Sequence, residues 1–321
     1  MVKRRIVIAL GGNAILTADS SAQAQQRALA DTAKHLVAFI RNGDDIVITH
    51  GNGPQVGNLL LQQLAADSPE NPAMPLDTLV AMTEGSISYW LQTALINELN
   101  RQGLKKEVAS VVTEVVVDWD DPAFAAPSKP IGPFLSEEEV RHQQKKSTEV
   151  FKEDAGRGWR KVVPSPKPVS IREITTIKQL LAAETVVITA GGGGIPVAED
   201  PETKTLTGVE AVVDKDFASG LLSDLIAADV FVLLTGVSHV YINFNTPRQK
   251  QLGTVTTDEM NAYIAEGQFA AGSMLPKVEA AVAFVQSHPQ SRAVITSLDN
   301  LGNIFTGSGT VIVNKKSSPN L

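Results

Sequence analysis

Short runs of β-branched and aliphatic residues recur along the chain, each closed by glycine or a polar turn: residues 6–10, 45–49, 108–112, 186–189, 230–234 and 293–296. Their apolar positions are continuous rather than alternating, the pattern of strands buried on both faces. Longer segments with helical periodicity lie between them, over residues 22–42, 78–102, 175–183, 216–228 and 275–287. This alternation predicts an α/β fold, a three-layer αβα sandwich with a mostly parallel central sheet.

The segment 119–167 breaks the rhythm. Pro122, Pro127, Pro130, Pro133, Pro164 and Pro166 bracket a charged, helix-like run over residues 136–154, and the strand and helix patterns resume on either side. It reads as a small inserted subdomain that protrudes from the fold. A second break at residues 196–208 reads as a hairpin or loop closing the first part of the chain. Two lobes are expected, residues 1–210 and 211–321, with the insertion in the first and a loose tail beyond Val313.

Composition narrows the function. With 43% hydrophobic and 20% charged residues among 321, the chain can bury a core, which excludes wholesale disorder. A net charge of −7 argues against a nucleic-acid binder, which needs a dense basic face. The absence of cysteine removes thiolate nucleophiles, disulfides and sulfur-based zinc sites. No apolar run reaches the ~18 residues that cross a bilayer, and the basic start leads straight into a strand rather than a signal peptide. A cytoplasmic chain with neither nucleic acid nor membrane as partner is expected.

Several chemistries are missing. No glycine precedes Lys-Ser or Lys-Thr, so there is no P-loop, and Gly51-Asn52-Gly53-Pro54-Gln55-Val56 fails the dinucleotide fingerprint at its third glycine. His35, His50, His142, His239 and His288 are scattered, without the spacing of a zinc hydrolase. There is no Gly-x-Ser-x-Gly elbow.

What is present is a set of glycine clusters, each just after an expected strand: Gly11-Gly12-Asn13-Ala14, Gly51-Asn52-Gly53 through Gly57, and Gly191 to Gly194. Glycines at the carboxyl ends of parallel strands let the backbone approach a ligand, and N–H groups at the next helix start favour an anion. Three such loops on one edge suggest a phosphate cradle. Lysines stand nearby. Lys215 lies between Asp214 and Asp216 at a helix start, where Asp216 could hold it or could simply cap the helix beside a solvated lysine. Lys277 follows Gly272-Ser273-Met274-Leu275-Pro276, a helix start able to wrap an anion. Lys129, between Ser128 and Pro130, is by spacing alone one more basic side chain among 28.

Taken in order, these motifs, with Ser128-Lys129-Pro130-Ile131-Gly132-Pro133, Val163-Pro164-Ser165-Pro166 and Val213-Asp214-Lys215-Asp216, resemble the amino acid kinase family from Ile6 to about Val313, and within it the branch that acts on carbamate. Many members of the family carry a lysine two positions before the paired glycines. Here that place is Ala9. The carbamate branch is similar in lacking it and in using a lysine from a protruding subdomain, which the resemblance assigns to Lys129. Ala9 thus argues against an acetylglutamate-type kinase.

The resemblance further implies ATP and ADP with carbamate and carbamoyl phosphate as partners, Mg2+ bridging the nucleotide phosphates, and a homodimer formed through the first lobe. By that resemblance Lys129, Lys215, Asp216 and Lys277 are catalytic, and Gly11, Gly12, Asn13, Gly51, Asn52 and Gly53 hold the phosphoryl group and carbamate. Thr235, Val237, Tyr241, Gly272, Ser273 and Met274, with Lys215 and Lys277, hold the nucleotide. The competing readings are another small-acid kinase of the same fold and a non-catalytic sensor of nucleotide or carbamoyl phosphate.

Overall fold

A computed structural model describes residues 3–15, 19–144, 149–153, 156 and 158–315. In chain order the elements begin with β1 (Arg5–Leu10), α1 (Ala22–Arg41), β2 (Asp45–His50), α2 (Gly53–Ala66), α3 (Leu76–Arg101), β3 (Val108–Ser110) and β4 (Glu114–Val117). The insertion supplies β5 (Lys129–Leu135), α4 (Glu137–Gln144), β6 (Val150–Glu153) and β7 (Trp159–Val163). Then come β8 (Pro168–Ile171), α5 (Ile174–Ala182), β9 (Val186–Ile188), β10 (Ile195–Glu199), β11 (Leu206–Gly208), α6 (Lys215–Leu225) and β12 (Val230–Leu234). The chain closes with β13 (Tyr241–Ile242), β14 (Lys250–Gln251), β15 (Thr254–Thr256), α7 (Thr257–Ala265), α8 (Met274–Ser287), β16 (Arg292–Thr296) and β17 (Thr310–Val313).

Eight strands form the central sheet in the order β15-β17-β16-β12-β1-β2-β9-β3. Every neighbouring pair is parallel except β16 with β17. Strands from before residue 210 make one half and those after it the other, and the halves meet where Ile6 to Ala9 pair with Val230 to Leu233. Successive side chains of a strand point to opposite faces, and both faces are covered here. Ile6, Ile8 and Leu10 pack with Leu29 and Leu36 of α1 and Ile87 and Leu91 of α3. Val7 and Ala9 pack with Ala218 and Leu222 of α6 and Val278 and Ala281 of α8. These are the three layers that the continuous apolar runs predicted.

The apolar stretch from residue 108 splits between two sheets, where the sequence suggested one strand. β3 ends at Ser110, and the fully buried Thr113 turns the chain: its hydroxyl bonds to the carbonyl of Val111 while the amide of Ala190 donates to it. β4 then joins a second sheet, β11-β10-β4-β8. The expected hairpin at 196–208 is the β10–β11 pair of that sheet, with Val197 opposite Gly208. The tail beyond Lys315 lies outside the described residues.

The insertion carries its own antiparallel sheet, β5-β7-β6. Its helix is shorter than the charged run suggested, covering Glu137–Gln144, with strand at Val150–Glu153. A capping box starts it: Ser136 Oγ accepts from the Glu139 amide and the Glu139 carboxylate accepts from the Ser136 amide. A separate small core seats the base of the insertion, with Ile131 and Val163 packed on Val56, Leu76, Leu79, Val80 and Val212. The backbones touch at Gly57, where a Cβ would lie 3.0 Å from the amide nitrogen of Gly132. A larger side chain there would push β5 off α2.

Candidate active site

Gly12, Gly51, Asn52, Gly53, Lys129, Lys215, Asp216, Gly272, Ser273 and Lys277 line a single cavity of about 300 Å3. They arrive from the carboxyl ends of β1 and β2, the amino ends of α2, α6 and α8, and the first residue of β5. Gly11 lies just beneath, against the carbonyl of Leu234. Asn13 belongs to the turn Gly12–Ala14, and its side chain is outside the described residues. Thr235 and Val237 lie in the loop after β12, Tyr241 is in β13 and Met274 opens α8; none of these four lines the cavity.

The charged groups are wired together. Asp216 Oδ1 accepts from Lys215 Nζ and Oδ2 from Lys277 Nζ, both at 2.8 Å. The carboxylate is buried and the lysine side chains are 14% and 12% exposed, so one anion fixes two cations that would otherwise repel. Burial works against ionisation of Asp216, but the two ammonium groups outweigh it and hold its carboxyl down at about 2. Burial, reinforced by the charge of Lys215, draws the Lys277 ammonium below its ordinary range. The Lys215 stem lies over Gly51, where a Cβ would sit 3.2 Å from Lys215 Cδ.

Asp214, which the sequence reading did not single out as a site residue, makes the third link. Its Oδ1 accepts from the Asp216 amide at 2.9 Å and so caps α6, while Oδ2 accepts from Lys129 Nζ at 2.5 Å. One carboxylate thus ties the protruding subdomain to the helix that carries Lys215 and Asp216. Its place directly before Lys215 was the available signal, readable only once Lys129 was known to arrive from 85 residues away.

A buried layer of polar side chains on α3 props up the glycine loops. His50 is fully buried, with Nδ1 3.0 Å from the Gly51 carbonyl and Nε2 3.0 Å from Ser88 Oγ. Burial lowers its pKa to about 4, so it is a neutral spacer with both ring nitrogens occupied rather than a phosphate acceptor. Glu84 accepts from the amides of Gly191 and Thr113, and burial pushes its carboxyl up to about 8 against those two bonds. Gly192 has φ +70° and lies under the Asn52 amide, where a Cβ would overlap it. The third glycine cluster therefore serves as packing for the second, with Gly192 alone of its four reaching the cavity.

Comparison with known proteins places this arrangement. Residues 4–297 match the amino acid kinase family. The chain is 57% identical to carbamate kinase 1 of Enterococcus faecium over 97% of each chain, and 53% identical to the carbamate kinase of Latilactobacillus sakei over 98% of this chain and all of that one. Its fold superimposes on the carbamate kinase of Giardia lamblia bound to AMP-PNP with a TM-score of 0.89 at 38% identity, covering 97% of this chain and 98% of that one. The chain belongs to the amino acid kinase family, the phosphotransferase class that its three-layer fold and lysine-lined cavity define. Within that family it falls among the carbamate kinases.

Proposed function

We propose that this chain transfers a phosphoryl group between carbamoyl phosphate and ADP, and that the cell, in its cytoplasm, runs the reaction toward ATP and carbamate. The observation that carries the residue assignment is the chain of ion pairs Lys277–Asp216–Lys215 and Lys129–Asp214 around one cavity. Phosphoryl transfer needs positioning and charge neutralisation more than covalent chemistry. An ADP β-phosphate oxygen attacks phosphorus, the bond from phosphorus to the carbamate oxygen breaks, and carbamate leaves as an anion, so no proton has to move. Lys215 and Lys277 lie along the nucleotide phosphates in this reading. Lys129 covers the phosphoryl group in flight, and the backbone amides of the Gly11-Gly12 and Gly51 to Gly53 loops hold its oxygens.

The loop with Thr235 and Val237, together with Tyr241 and Met274, takes the adenosine end. This assigns residues 211–321 to the nucleotide and residues 1–210 to the carbamoyl end. Among the described residues no group of three or more His, Asp or Glu side chains could hold a metal ion, and Asp214 and Asp216 are engaged by lysines. In this reading Mg2+ enters with the nucleotide phosphates, whose charge it neutralises. The test is ATP formation from carbamoyl phosphate, ADP and Mg2+ by the purified chain, corrected for spontaneous decay of carbamoyl phosphate. Folded protein that forms no ATP would sink the reading.

A homodimer through the first lobe belongs to the same proposal. On α3, Met82, Tyr89 and Ile96 recur every seven residues and are all exposed, Tyr89 at 63%. An apolar stripe of that kind on one helix face fits a self-complementary contact. Tyr89→Glu is expected to shift the protein from dimer to monomer in sedimentation velocity, and an unchanged dimer would remove α3 from the interface.

A further inference from the structure

Asn52 stands at the amino end of α2, where an asparagine ordinarily caps the helix with its side-chain oxygen. Here it makes no capping bond. The side chain, in a residue only 3% exposed, instead turns its Nδ2 onto Thr83 Oγ1 at 2.9 Å. The threonine hydroxyl has one hydrogen, and it lies 3.0 Å from the Leu79 carbonyl and 2.9 Å from the Val80 carbonyl, groups that can only accept. With that hydrogen given to a backbone carbonyl, Thr83 Oγ1 accepts from Asn52, whose Nδ2 faces it.

The consequence is an oxygen left over. Among the described residues, Arg5 Nε is the one side-chain nitrogen or oxygen that is both sealed from solvent and unpartnered. Asn52 Oδ1, which has no hydrogen-bond partner among the described residues, is thus open to the cavity that Asn52 lines. Gly192 beneath the amide keeps its plane in place. Next to it the Lys215 stem crosses Gly51. Among the N–H donors and ammonium groups of the cavity, Asn52 Oδ1 is an uncharged acceptor held in place by the Thr83 bond.

We infer that Asn52 Oδ1 accepts a hydrogen bond from the NH2 group of the carbamoyl substrate, with Thr83 as the positioning residue that keeps the oxygen turned outward. The inference rests on the carbamate kinase reading and adds to it the basis of donor choice. An acyl phosphate with CH3 in place of NH2 leaves Oδ1 unpaired in a site it has desolvated, and a site built around such a bond rejects the analogue that lacks it. Isosteric acetyl phosphate is the natural probe.

The experiment compares kcat/KM for ATP formation from carbamoyl phosphate and from acetyl phosphate. Where acetyl phosphate turnover falls below detection, its Ki against carbamoyl phosphate replaces it. Asn52→Ala is expected to lose about 10- to 100-fold with carbamoyl phosphate while acetyl phosphate changes by less than about threefold, so the preference collapses. Thr83→Val, which removes the anchor at constant volume, should shift the preference in the same direction, and Thr83→Ser should restore it. If Asn52→Ala does not fold, the Thr83 pair carries the test. Equal losses with both donors, or a Thr83→Val enzyme with wild-type preference, would overturn the role of Asn52 and leave the carbamate kinase reading standing. A wild type that makes no ATP from carbamoyl phosphate would overturn both.

Discussion

Replacing Lys129 with alanine is expected to slow ATP formation from carbamoyl phosphate about 1,000-fold while the melting temperature barely moves. Both halves follow from where the side chain sits. Lys129 is 33% exposed and its partner Asp214 is 16% exposed, so their ion pair is partly solvated and contributes little to folding. Its Nζ nevertheless reaches the cavity that holds Lys215 and Lys277, and it comes from the first residue of a strand seated by Ile131 and Val163. A charge placed that firmly needs no reorganisation as negative charge builds on the moving phosphoryl group, which is where preorganised donors act most strongly. ADP affinity, measured by calorimetry, should stay within about threefold because the other two lysines remain. Lys129→Arg should recover only part of the rate, since a planar fork does not replace a compact ammonium. A Lys129→Ala enzyme within tenfold of wild type would remove Lys129 from the transfer step.

Much of this site was legible because glycine and proline mark it. Gly51-Asn52-Gly53 and Gly272, Ser273 and Pro276 punctuate the chain at strand ends and helix starts, and they line the cavity. The central sheet was legible for a similar reason: strands buried on both faces leave uninterrupted apolar runs. What stayed hidden depended on contacts between distant segments. No local pattern shows that the run from residue 108 divides at Thr113, because the division rests on a buried hydroxyl bonded across to Ala190. Nor does any pattern give Asp214 two tasks or tell Thr83 from the other threonines of the chain. Lys129 was reached through family resemblance rather than through its own spacing, and the geometry that supports its assignment is the 2.5 Å bond to Asp214.

Removing the charge of Asp216 should be the most damaging single change to the fold among the cavity residues. Asp216→Asn leaves Lys215 and Lys277, both mostly buried, facing each other without the anion that both now touch at 2.8 Å. Breaking a buried ion network by deleting one partner costs about 3 kcal/mol or more. The effect carries a pH dependence with a definite sign. In the folded chain the Asp216 carboxyl is held at about 2, below its ordinary 3.8, so its contribution to stability is fully present above the unfolded value and disappears as pH falls through the folded one. Urea unfolding of the two proteins side by side should therefore show a gap of about 3 kcal/mol at pH 7 that begins to shrink as the pH drops below about 4 and closes as it falls through about 2, where folded wild type itself becomes protonated at this position. The same substitution should move the alkaline limb of activity to lower pH. The Lys277 ammonium is already drawn down by burial and by Lys215, and the charge of Asp216 is what resists that fall. A variant as stable as wild type at pH 7, or a gap that persists unchanged into acid, would show that the ionised Asp216 is not what holds the two lysines together.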